Sequence, residues 1–411
     1  MTVNIINIGD ELLIGQVVNT NASVMSRLLT GAGIEVNRIA VVGDNATDIR
    51  AALDSAIGSA NAVLITGGLG PTKDDITKHL LCEYFGSELV ESPVALANVK
   101  RIFESRGYEL TPINRAQALV PRCCQVLNND LGTAPAMLFE RGGKVVISLP
   151  GVPFEMDWLM RNRVLPALKE RFDIGTVTTK NILVQGIGES FLSDLIEPWE
   201  TVLPPTVRLA YLPSAGMVKL RLTHRAADNK PSVDLGSLTQ GLYQLAGQYI
   251  VGEDCESLAE LVHSRFVASG LTLASAESCT GGTIASALTA QAGASAYFKG
   301  GIVAYSNEAK ENLLGVERAT LLAHGAVSEA TVRQMAEGAR RQLKSDYAVA
   351  TTGIAGPDGG TPDKPVGTVW VAVATPQTTV AQLLQLGSNR RQQNIDRTVN
   401  HVMALLLRLM K

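Results

Sequence analysis

The side chains best suited to chemistry in this sequence stand together on one turn. Ser278 and Cys279 follow an apolar, strand-like run at residues 271–274 and precede a Gly-Gly pair and a segment with helical spacing. Such a turn holds a nucleophile rigidly, and its glycines let a ligand approach backbone N–H groups. A second glycine-rich loop lies downstream at residues 351–360. The pattern predicts acyl-transfer or hydrolytic chemistry, with either Ser278 or Cys279 as the nucleophile.

A serine nucleophile needs a base, and histidine is the commonest one. Here His263, His324 and His401 all stand away from glycine turns and strand ends, which disfavours a Ser-His-Asp arrangement. Lys310 is the better candidate, with Tyr305 nearby, because their segment runs from a predicted strand into a helix at the edge where α/β sheets place their sites. A buried lysine can lose its charge and act as a base. The alternative for Lys310 is an ordinary solvated helix lysine.

Cys279 and Glu277 each allow two interpretations. A thiolate at a helix N-terminus is activated, but a small free cysteine can equally pack beneath the glycine turn. Glu277 either caps the N–H groups of the following helix or orients a ligand. The sequence leaves both choices open.

A second candidate site lies near the start of the chain. Residues 66–75, Thr-Gly-Gly-Leu-Gly-Pro-Thr-Lys-Asp-Asp, directly follow a predicted strand, and glycines placed there expose backbone N–H groups to phosphate. Acidic residues follow each of the first three predicted strands: Asp10, Glu11, Asp44, Asp74 and Asp75. Because the carboxyl ends of parallel strands meet at one edge, these acids predict a divalent cation that bridges phosphate oxygens. Taken singly, Asp10, Asp44 and Asp74 are equally well explained as helix N-caps.

Hydrophobic periodicity divides the chain into three predicted domains. Residues 1–171 alternate strands and helices, which predicts a parallel sheet with helices on both faces. Residues 172–252 read as a small α+β module, and residues 253–411 resume the alternation. The predicted fold class is therefore α/β, with two three-layer domains joined by a small α+β module.

Basic residues cluster on the third predicted strand of the middle module, at Lys219, Arg221, His224 and Arg225. A nucleic-acid surface is one interpretation. We favour the other, a solvated edge strand whose charges prevent association with further strands.

Composition excludes several classes of protein. The net charge of −3 provides no general attraction for nucleic acid, and the five cysteines, without a Cys-x-x-Cys pair, disfavour a disulfide framework or a structural zinc. No apolar run is long enough to cross a bilayer, and the first residues resemble a strand rather than a secretory signal. We therefore expect a cytoplasmic protein with no membrane partner.

Four segments resemble the PncC family of nicotinamide-mononucleotide amidohydrolases, which form the C-terminal half of CinA (competence/damage-inducible) proteins. They are, in order, residues 276–282, 305–310, 324–328 and 353–369. The resemblance implies metal-free hydrolysis of the nicotinamide carboxamide to nicotinate mononucleotide and ammonia. It further implies Ser278 as the nucleophile. The other implied site residues are Lys310 as base, Tyr305 and Thr352 as catalytic partners, and Glu277, Thr280, Gly281, Gly282, Gly353, Gly356 and either Arg390 or Arg391 as substrate-binding groups.

The N-terminal part is similar to the MoaB/MogA-type molybdopterin-binding domain as it occurs in CinA proteins. The matching segments are residues 9–21, 42–45, 114–118 and 149–156. In that family the domain is associated with metal-dependent cleavage of ADP-ribose to AMP and ribose 5-phosphate. The implied substrate-binding residues are Asp10, Glu11, Thr66, Gly67, Gly68, Gly70, Pro71, Asp74 and Asn114, with Asp44, Asp75 and Glu155 as candidate ligands of a divalent metal ion.

The resemblance as a whole implies a bifunctional enzyme of pyridine-nucleotide recycling with a KH-like middle module, and a homodimer is expected. The module lacks a Gly-x-x-Gly nucleic-acid loop, so nucleic acid is not an expected partner. Two alternatives remain open. One is a binding protein for molybdopterin or a nucleotide, and the other is a non-catalytic partner in competence or DNA repair.

Overall fold

A computed structural model describes residues 1–70, 76–225 and 233–410. The chain folds into two compact units, one built mainly from Met1–Thr178 and the other from Thr179–His224 and Asp234–Lys411. Each unit is described separately.

The first unit is built around a mixed sheet. Its strands are β1 (Thr2–Ile8), β2 (Glu35–Val42), β3 (Ala62–Thr66), β4 (Leu89–Glu91), β5 (Leu119–Pro121), β6 (Gln125–Leu127), β7 (Ala136–Arg141) and β8 (Lys144–Leu149). Six of them form one sheet in the order β2-β1-β3-β8-β7-β6, while β4 and β5 pair separately. The neighbours β2, β1, β3 and β8 run parallel, as the alternating sequence predicts, and β7 and β6 are added antiparallel.

Helices cover both faces of this sheet. They are α1 (Asp10–Leu13), α2 (Thr20–Gly31), α3 (Ala46–Ser59), α4 (Thr77–Tyr84), α5 (Pro93–Ser105), α6 (Pro112–Arg115), α7 (Pro153–Leu159) and α8 (Leu165–Arg171). A π-helical turn, Met160–Val164, joins α7 to α8 into one continuous helical segment. A 3₁₀ turn at Ala116–Ala118 follows α6.

Strand β1 shows why both faces are covered. Val3 and Ile5 point into one hydrophobic core, and Ile6 and Ile8 point into the other. A strand buried on both faces reads as a continuous apolar run instead of an alternating one. The row of Val3 and Ile5 continues at the carboxyl end of the strand with a polar residue, Asn7.

The middle module combines four strands with two helices. The strands are β9 (Val177–Gln185), β10 (Val207–Ser214), β11 (Met217–Arg225) and β12 (Ile250–Glu253), and the helices are α9 (Glu189–Glu200) and α10 (Leu235–Ala246), with a 3₁₀ turn at Gly247–Tyr249. The sheet order is β10-β11-β9-β12. Strand β12 was not predicted from the sequence because it is only four residues long and lies where a domain boundary was expected.

The predicted position of the basic strand is wrong. Strand β11 lies between β10 and β9, in the interior of its sheet, so it has no free edge to protect. Its charges are instead paired: Lys219 Nζ lies 2.6 Å and Arg221 Nη2 3.3 Å from the carboxylate of Glu256. His224, on the same strand, is buried. These basic side chains are thus largely engaged within the protein.

The C-terminal domain has a five-stranded sheet. Its strands are β13 (Leu273–Glu277), β14 (Phe298–Val303), β15 (Tyr347–Gly353), β16 (Thr368–Ala374) and β17 (Thr379–Gln385), in the order β14-β13-β15-β16-β17. The first three neighbours are parallel and the last two pairings are antiparallel. The flanking helices are α11 (Leu258–Ser269), α12 (Thr283–Thr289), α13 (Asn307–Leu314), α14 (Arg318–His324), α15 (Glu329–Leu343) and α16 (Arg391–Leu409), with a 3₁₀ turn at Ala294–Ala296.

Two hydrophobic cores flank this second sheet. Alanines of β13, β15 and β16 pack with the apolar face of α15 on one side. Larger side chains pack with α11, α12 and α16 on the other. Among the described residues, no helix is both long enough and apolar enough to cross a membrane.

Candidate active sites

Ser278 and Lys310 are in direct contact. Ser278 follows the last residue of β13, and its backbone N–H donates to the carbonyl of Thr351 on the neighbouring strand β15 at 3.0 Å. Lys310 lies in the first turns of α13, whose N-cap is the side chain of Ser306. The distance from Lys310 Nζ to Ser278 Oγ is 3.1 Å. A candidate nucleophile and a candidate base are therefore within hydrogen-bonding distance.

Lys310 lies in the protein interior, not in solvent. Its side chain is 1% exposed, and its amine donates to the carbonyls of Ala304 at 2.9 Å and Tyr305 at 3.2 Å. Burial lowers the pKa of Lys310 because the charged ammonium loses its hydration. The structure thus excludes the alternative of a solvated helix lysine.

Cys279 is placed less favourably for nucleophilic attack. Its side chain is buried, and burial raises the pKa of the Cys279 thiol to about 12. The nucleophilic thiolate is therefore scarce at neutral pH. Of the two candidate nucleophiles, the geometry favours Ser278.

The Glu277 carboxylate accepts hydrogen bonds from backbone N–H groups. It is fully buried and accepts these bonds from Gly282, Ile284 and Ala285 at 2.9–3.0 Å, together with one from the hydroxyl of Thr280 at 2.8 Å. Of the two interpretations of Glu277, the structure supports capping of α12, and Thr280 belongs to the same network. The cap holds the turn that carries the nucleophile.

A cavity of about 210 Å³ opens in front of this pair. The described residues that line it are Ser278, Cys279, Tyr305, Asn307, Lys310, Ala326, Val327, Thr352, Gly353, Ala355 and Arg391. Gly281, Gly282 and Gly356 lie outside that lining, and Gly281 and Gly282 shape the turn through positive φ angles of 59° and 99°. Asn307, Ala326 and Val327 were missed by sequence reasoning, although all three lie within the segments 305–310 and 324–328 that carry part of the resemblance.

The structure separates the two candidate arginines. Arg391 is the first residue of α16 and lines the cavity, where its guanidinium donates to the hydroxyl of Tyr305 at 3.0 Å and to the carbonyl of Gly356 at 3.1 Å. Arg390 is the N-cap of the same helix and does not line the cavity. Arg391 is therefore the better placed to meet an anionic group of a ligand.

Thr352 has a partner within the protein. Its hydroxyl donates to the carbonyl of Ala326 at 2.8 Å, which fixes one wall of the cavity. The amine of Lys364 donates to the carbonyls of Val327 at 2.9 Å and His324 at 3.2 Å, on the same segment. Both side chains thus hold the wall that faces Ser278.

The N-terminal candidate residues gather in part around a second cavity, of about 380 Å³. Of the predicted residues, it is lined by Glu11, Asp44, Thr66, Gly67, Gly68 and Gly70. Asp10 lies beside it, since its backbone N–H donates to the Asp44 carboxylate at 3.0 Å and its own carboxylate accepts from the Asp44 N–H at 3.2 Å. Asn7 and Asn21 also line the cavity and were not predicted.

Other predicted residues of this site lie elsewhere. Asn114 is half-buried on α6, and neither it nor Glu155 lines the cavity. The Glu155 carboxylate accepts from Asn129 Nδ2 at 2.7 Å, and burial raises the pKa of Glu155. Pro71, Asp74 and Asp75 fall outside the described residues.

The described residues do not by themselves form a metal centre. In residues 1–70, 76–225 and 233–410, no group of three or more His, Cys, Asp or Glu side chains is arranged to hold a metal ion. Asp44 and Glu155, two of the predicted ligands, do not line one cavity. The predicted metal requirement therefore stays a prediction, and no chemical step is derived from it.

Comparison with known protein families matches three consecutive parts of the chain. Residues 4–170 match the probable molybdopterin binding domain, residues 179–252 match the damage-inducible protein CinA KH domain, and residues 255–410 match the CinA C-terminal domain. A CinA-like protein of Cytophaga hutchinsonii is 44% identical over 99% of this chain and 98% of its own length. The chain belongs to the CinA family.

Other CinA relatives are similar over different shares of the chain. A putative competence-damage inducible protein of Caldanaerobacter subterraneus subsp. tengcongensis is 42% identical over 94% of this chain and 93% of its own. A crystal structure of the competence/damage inducible protein CihA from Agrobacterium tumefaciens is 42% identical, covers 38% of this chain and 94% of its own, and superposes with a TM-score of 0.37.

Proposed function

We propose that the C-terminal domain hydrolyses the carboxamide of nicotinamide mononucleotide to nicotinate mononucleotide and ammonia. The observation that carries this proposal is the contact between the buried amine of Lys310 and the hydroxyl of Ser278. An amine made less basic by burial can accept the serine proton, which is the step that activates a weak nucleophile. The family resemblance suggests the substrate.

The chemistry follows in two halves. Ser278 Oγ attacks the carboxamide carbon while neutral Lys310 takes the hydroxyl proton, and the resulting ammonium returns that proton to the departing nitrogen as ammonia leaves. Water then attacks the acyl-serine ester while Lys310 accepts a proton from it and passes that proton to Ser278 Oγ, which releases nicotinate mononucleotide and free Ser278. Lys310 gains and loses one proton in each half, so the protons balance over the cycle.

Arg391 supplies the recognition of the phosphate. Its guanidinium reaches the cavity from the start of α16 and is already oriented by Tyr305 and Gly356. An arginine fork matches the oxygens of a phosphate monoester. We expect Arg391→Lys to raise KM for the mononucleotide while kcat stays close to that of the unmodified protein.

The decisive experiment measures ammonia release from nicotinamide mononucleotide by the full chain, with and without EDTA. We expect release that survives EDTA, is abolished in Ser278→Ala, and is largely retained in Cys279→Ala. The opposite pattern between the two variants would make the protein a cysteine amidase. Absence of release from correctly folded protein would refute the proposal.

For the N-terminal domain we propose hydrolysis of ADP-ribose to AMP and ribose 5-phosphate, with consumption of one water. The observation that favours it is a cavity that joins the glycine turn at Gly67–Gly70 to the carboxylates of Glu11 and Asp44. A glycine turn of this kind suits a diphosphate, and carboxylates beside it suit a cation that bridges its oxygens. A molybdopterin phosphate meets the same groups, so product analysis by chromatography distinguishes an enzyme from a binding protein.

That activity is tested by incubating the full chain with ADP-ribose and a divalent cation. We expect AMP to appear only with the cation and to disappear in Asp44→Ala. Unchanged, metal-dependent turnover by Asp44→Ala would contradict this assignment of the site. Binding of ADP-ribose without turnover would replace the proposal with a carrier function.

A further inference from the structure

Two asparagine side chains at the N-terminal cavity have a property that the proposed diphosphate chemistry does not explain. Asn7 continues the row of β1 that carries Val3 and Ile5, and its side chain is fully buried. Its register partner on β3 is Thr66, whose side chain lies on the same face. Both rows are apolar until the carboxyl edge of the sheet, where they become polar and line the cavity.

The orientation of each amide is fixed by its nitrogen. Asn7 Nδ2 donates to the carbonyl of Ala40 at 3.2 Å. Asn21 Nδ2 donates to the carbonyl of Gly151 at 2.7 Å and contacts the hydroxyl of Thr66 at 3.3 Å. Because carbonyl groups accept these bonds, the amide nitrogens must face them, and the amide oxygens face away.

Both oxygens lack a donor. Within the described residues, Asn7 Oδ1 and Asn21 Oδ1 are buried and have no hydrogen-bond partner. A buried acceptor without a donor is unfavourable. A ligand that brings an N–H donor to these oxygens removes that cost, and a ligand without one does not.

We propose that Asn7 and Asn21 select a heterocycle that carries an amino group, and that they receive its N–H donors at the floor of the cavity. For ADP-ribose, the donor is the 6-amino group of adenine. This inference rests on the proposed function of the N-terminal domain and adds to it the direction in which the nucleotide binds. Two carbonyl oxygens repel an anion, so the diphosphate lies at the glycine turn, Gly67–Gly70.

The walls of the cavity agree with this direction. Apolar side chains of Leu12, Val17, Val18 and Val152 line it together with the two amides. Val18 is 80% and Val17 53% exposed, which is unusual for valine and leaves apolar surface available to a flat ring. A flat heterocycle can pack its ring against these apolar side chains and place its amino group at Asn7. Such a ligand matches both the apolar wall and the amide oxygens.

The test compares ADP-ribose with inosine diphosphate ribose, in which a carbonyl oxygen replaces the 6-amino group. We expect the unmodified protein to show kcat/KM at least tenfold higher for ADP-ribose, since the 6-oxo group of the analogue places an acceptor where the two amide oxygens need a donor. In Asn7→Ala and in Asn21→Ala the ratio should fall to within about threefold, because the unpaired acceptor is gone. A ratio depends little on how much of a variant is folded, because both substrates meet the same preparation.

Asn4→Ala is the matched control. Asn4 is also a buried asparagine of β1, but its amide donates to Ala56 and Ser59 and its side chain lies on the opposite face of the sheet from Asn7. We expect this variant to keep the full preference for ADP-ribose even if it is destabilised. Equal use of both substrates by the unmodified protein, or full preference retained in Asn7→Ala and Asn21→Ala, would overturn the inference.

The inference can be tested separately from the proposed cleavage of ADP-ribose. If no substrate is cleaved, thermal unfolding of the full chain with AMP, with IMP and with a pterin monophosphate still tests the amide oxygens. Stabilisation by AMP or by the pterin monophosphate, but not by IMP, supports the inference and identifies which amino heterocycle binds. Equal stabilisation by AMP and IMP, or by none of the three, refutes it.

Discussion

At the scale of single residues, the catalytic proposal depends on one amine that the fold keeps out of water. Lys310 is held by main-chain carbonyls on one side and by the Ser278 hydroxyl on the other. The neutral form of this amine is the base, and its lowered pKa makes that form more abundant near neutral pH. The protonated form can only donate, so it cannot activate the serine.

This gives a pH dependence with a definite sign. We expect kcat/KM for nicotinamide mononucleotide to rise with pH and to level off above a midpoint below the ordinary lysine pKa of about 10.4. The measurement is initial ammonia release across a pH series in the full chain. A rate that falls as pH rises, or that is flat while Ser278→Ala is inactive, would show that another group is the base.

Replacement of Lys310 by arginine tests the same point without loss of positive charge. Arginine stays protonated in proteins and cannot accept the serine proton. Lys310→Arg should therefore lose ammonia release by at least about a hundredfold, the contribution typical of a general base. Circular dichroism and thermal unfolding should show a folded protein, since otherwise loss of activity says nothing about the base.

Glu277 makes a contribution to stability that can be measured separately. Glutamine in its place keeps the shape but puts an NH₂ group where several backbone N–H donors now converge. We expect Glu277→Gln to lower the free energy of unfolding, measured by urea denaturation, by about 1–3 kcal/mol. The control is Glu308→Gln at an exposed position, which should change the free energy of unfolding by less than about 0.5 kcal/mol. Equal effects of the two substitutions would mean that the buried cap has no special role.

The sequence identified some of these residues better than others. Ser278 and Lys310 were predicted because their types and neighbours carry chemical information, and Arg391 was one of two arginines that the family resemblance implied. The structure places all three around one cavity. Asn7 was overlooked because a single asparagine in an apolar strand resembles any buried polar residue. Its position after Val3 and Ile5 in the period-two pattern was a usable signal, since it put a polar side chain on a covered face at the carboxyl edge of the sheet.

At the scale of elements, the position of Lys310 depends on how closely α13 and α15 approach. Gly338 of α15 lies against the backbone of Leu314, the last residue of α13, and a Cβ atom at Gly338 would overlap the Leu314 carbonyl. Only glycine permits this approach. The distance between the helices therefore influences the amine four residues earlier on α13.

We expect Gly338→Ala to lower stability by about 1–3 kcal/mol through overpacking, and to reduce ammonia release as α13 is displaced. Gly58→Ala is the control, because Gly58 lies in helix α3 and a Cβ there would meet no atom within 4 Å. Alanine at that helix position should stabilise by up to about 1 kcal/mol. Thermal unfolding and amidase assays on both variants check the pair, and a neutral Gly338→Ala would show that the helices can separate without cost.

Element prediction succeeded where long periodic segments are buried and failed where neighbours decide. The parallel strands and the longer helices follow from their apolar patterns. The position of β11 within its sheet could not be predicted in this way. Strand order depends on which strands pair, and local sequence does not contain that information. The charges of β11 suggested an edge, but Glu256, far along the chain, is their partner.

At the scale of the whole molecule, the two proposed activities belong to different compact units. Separate cavities with no shared lining residue predict independent chemistry. Ser278→Ala should abolish ammonia release and leave ADP-ribose cleavage unchanged, and Asp44→Ala should do the reverse. Both assays on each purified variant check this, and loss of both activities in either one would show that the sites are coupled.

Within the second unit, helix α16 contacts both the cavity in front of Ser278 and the KH-like module. Its first residue, Arg391, lines the cavity in front of Ser278. Further along the helix, Asn400 donates to the Ala215 carbonyl and Arg408 donates to Gln185, both in the KH-like module. A helix of 19 residues is a stiff rod of about 28 Å. A tilt of the module would move this helix and with it Arg391, whereas Ser278 lies on the turn after β13 and is not part of the helix. If a binding event at the module tilts the helix, we therefore expect a change in KM for nicotinamide mononucleotide, the proposed substrate, with little change in kcat.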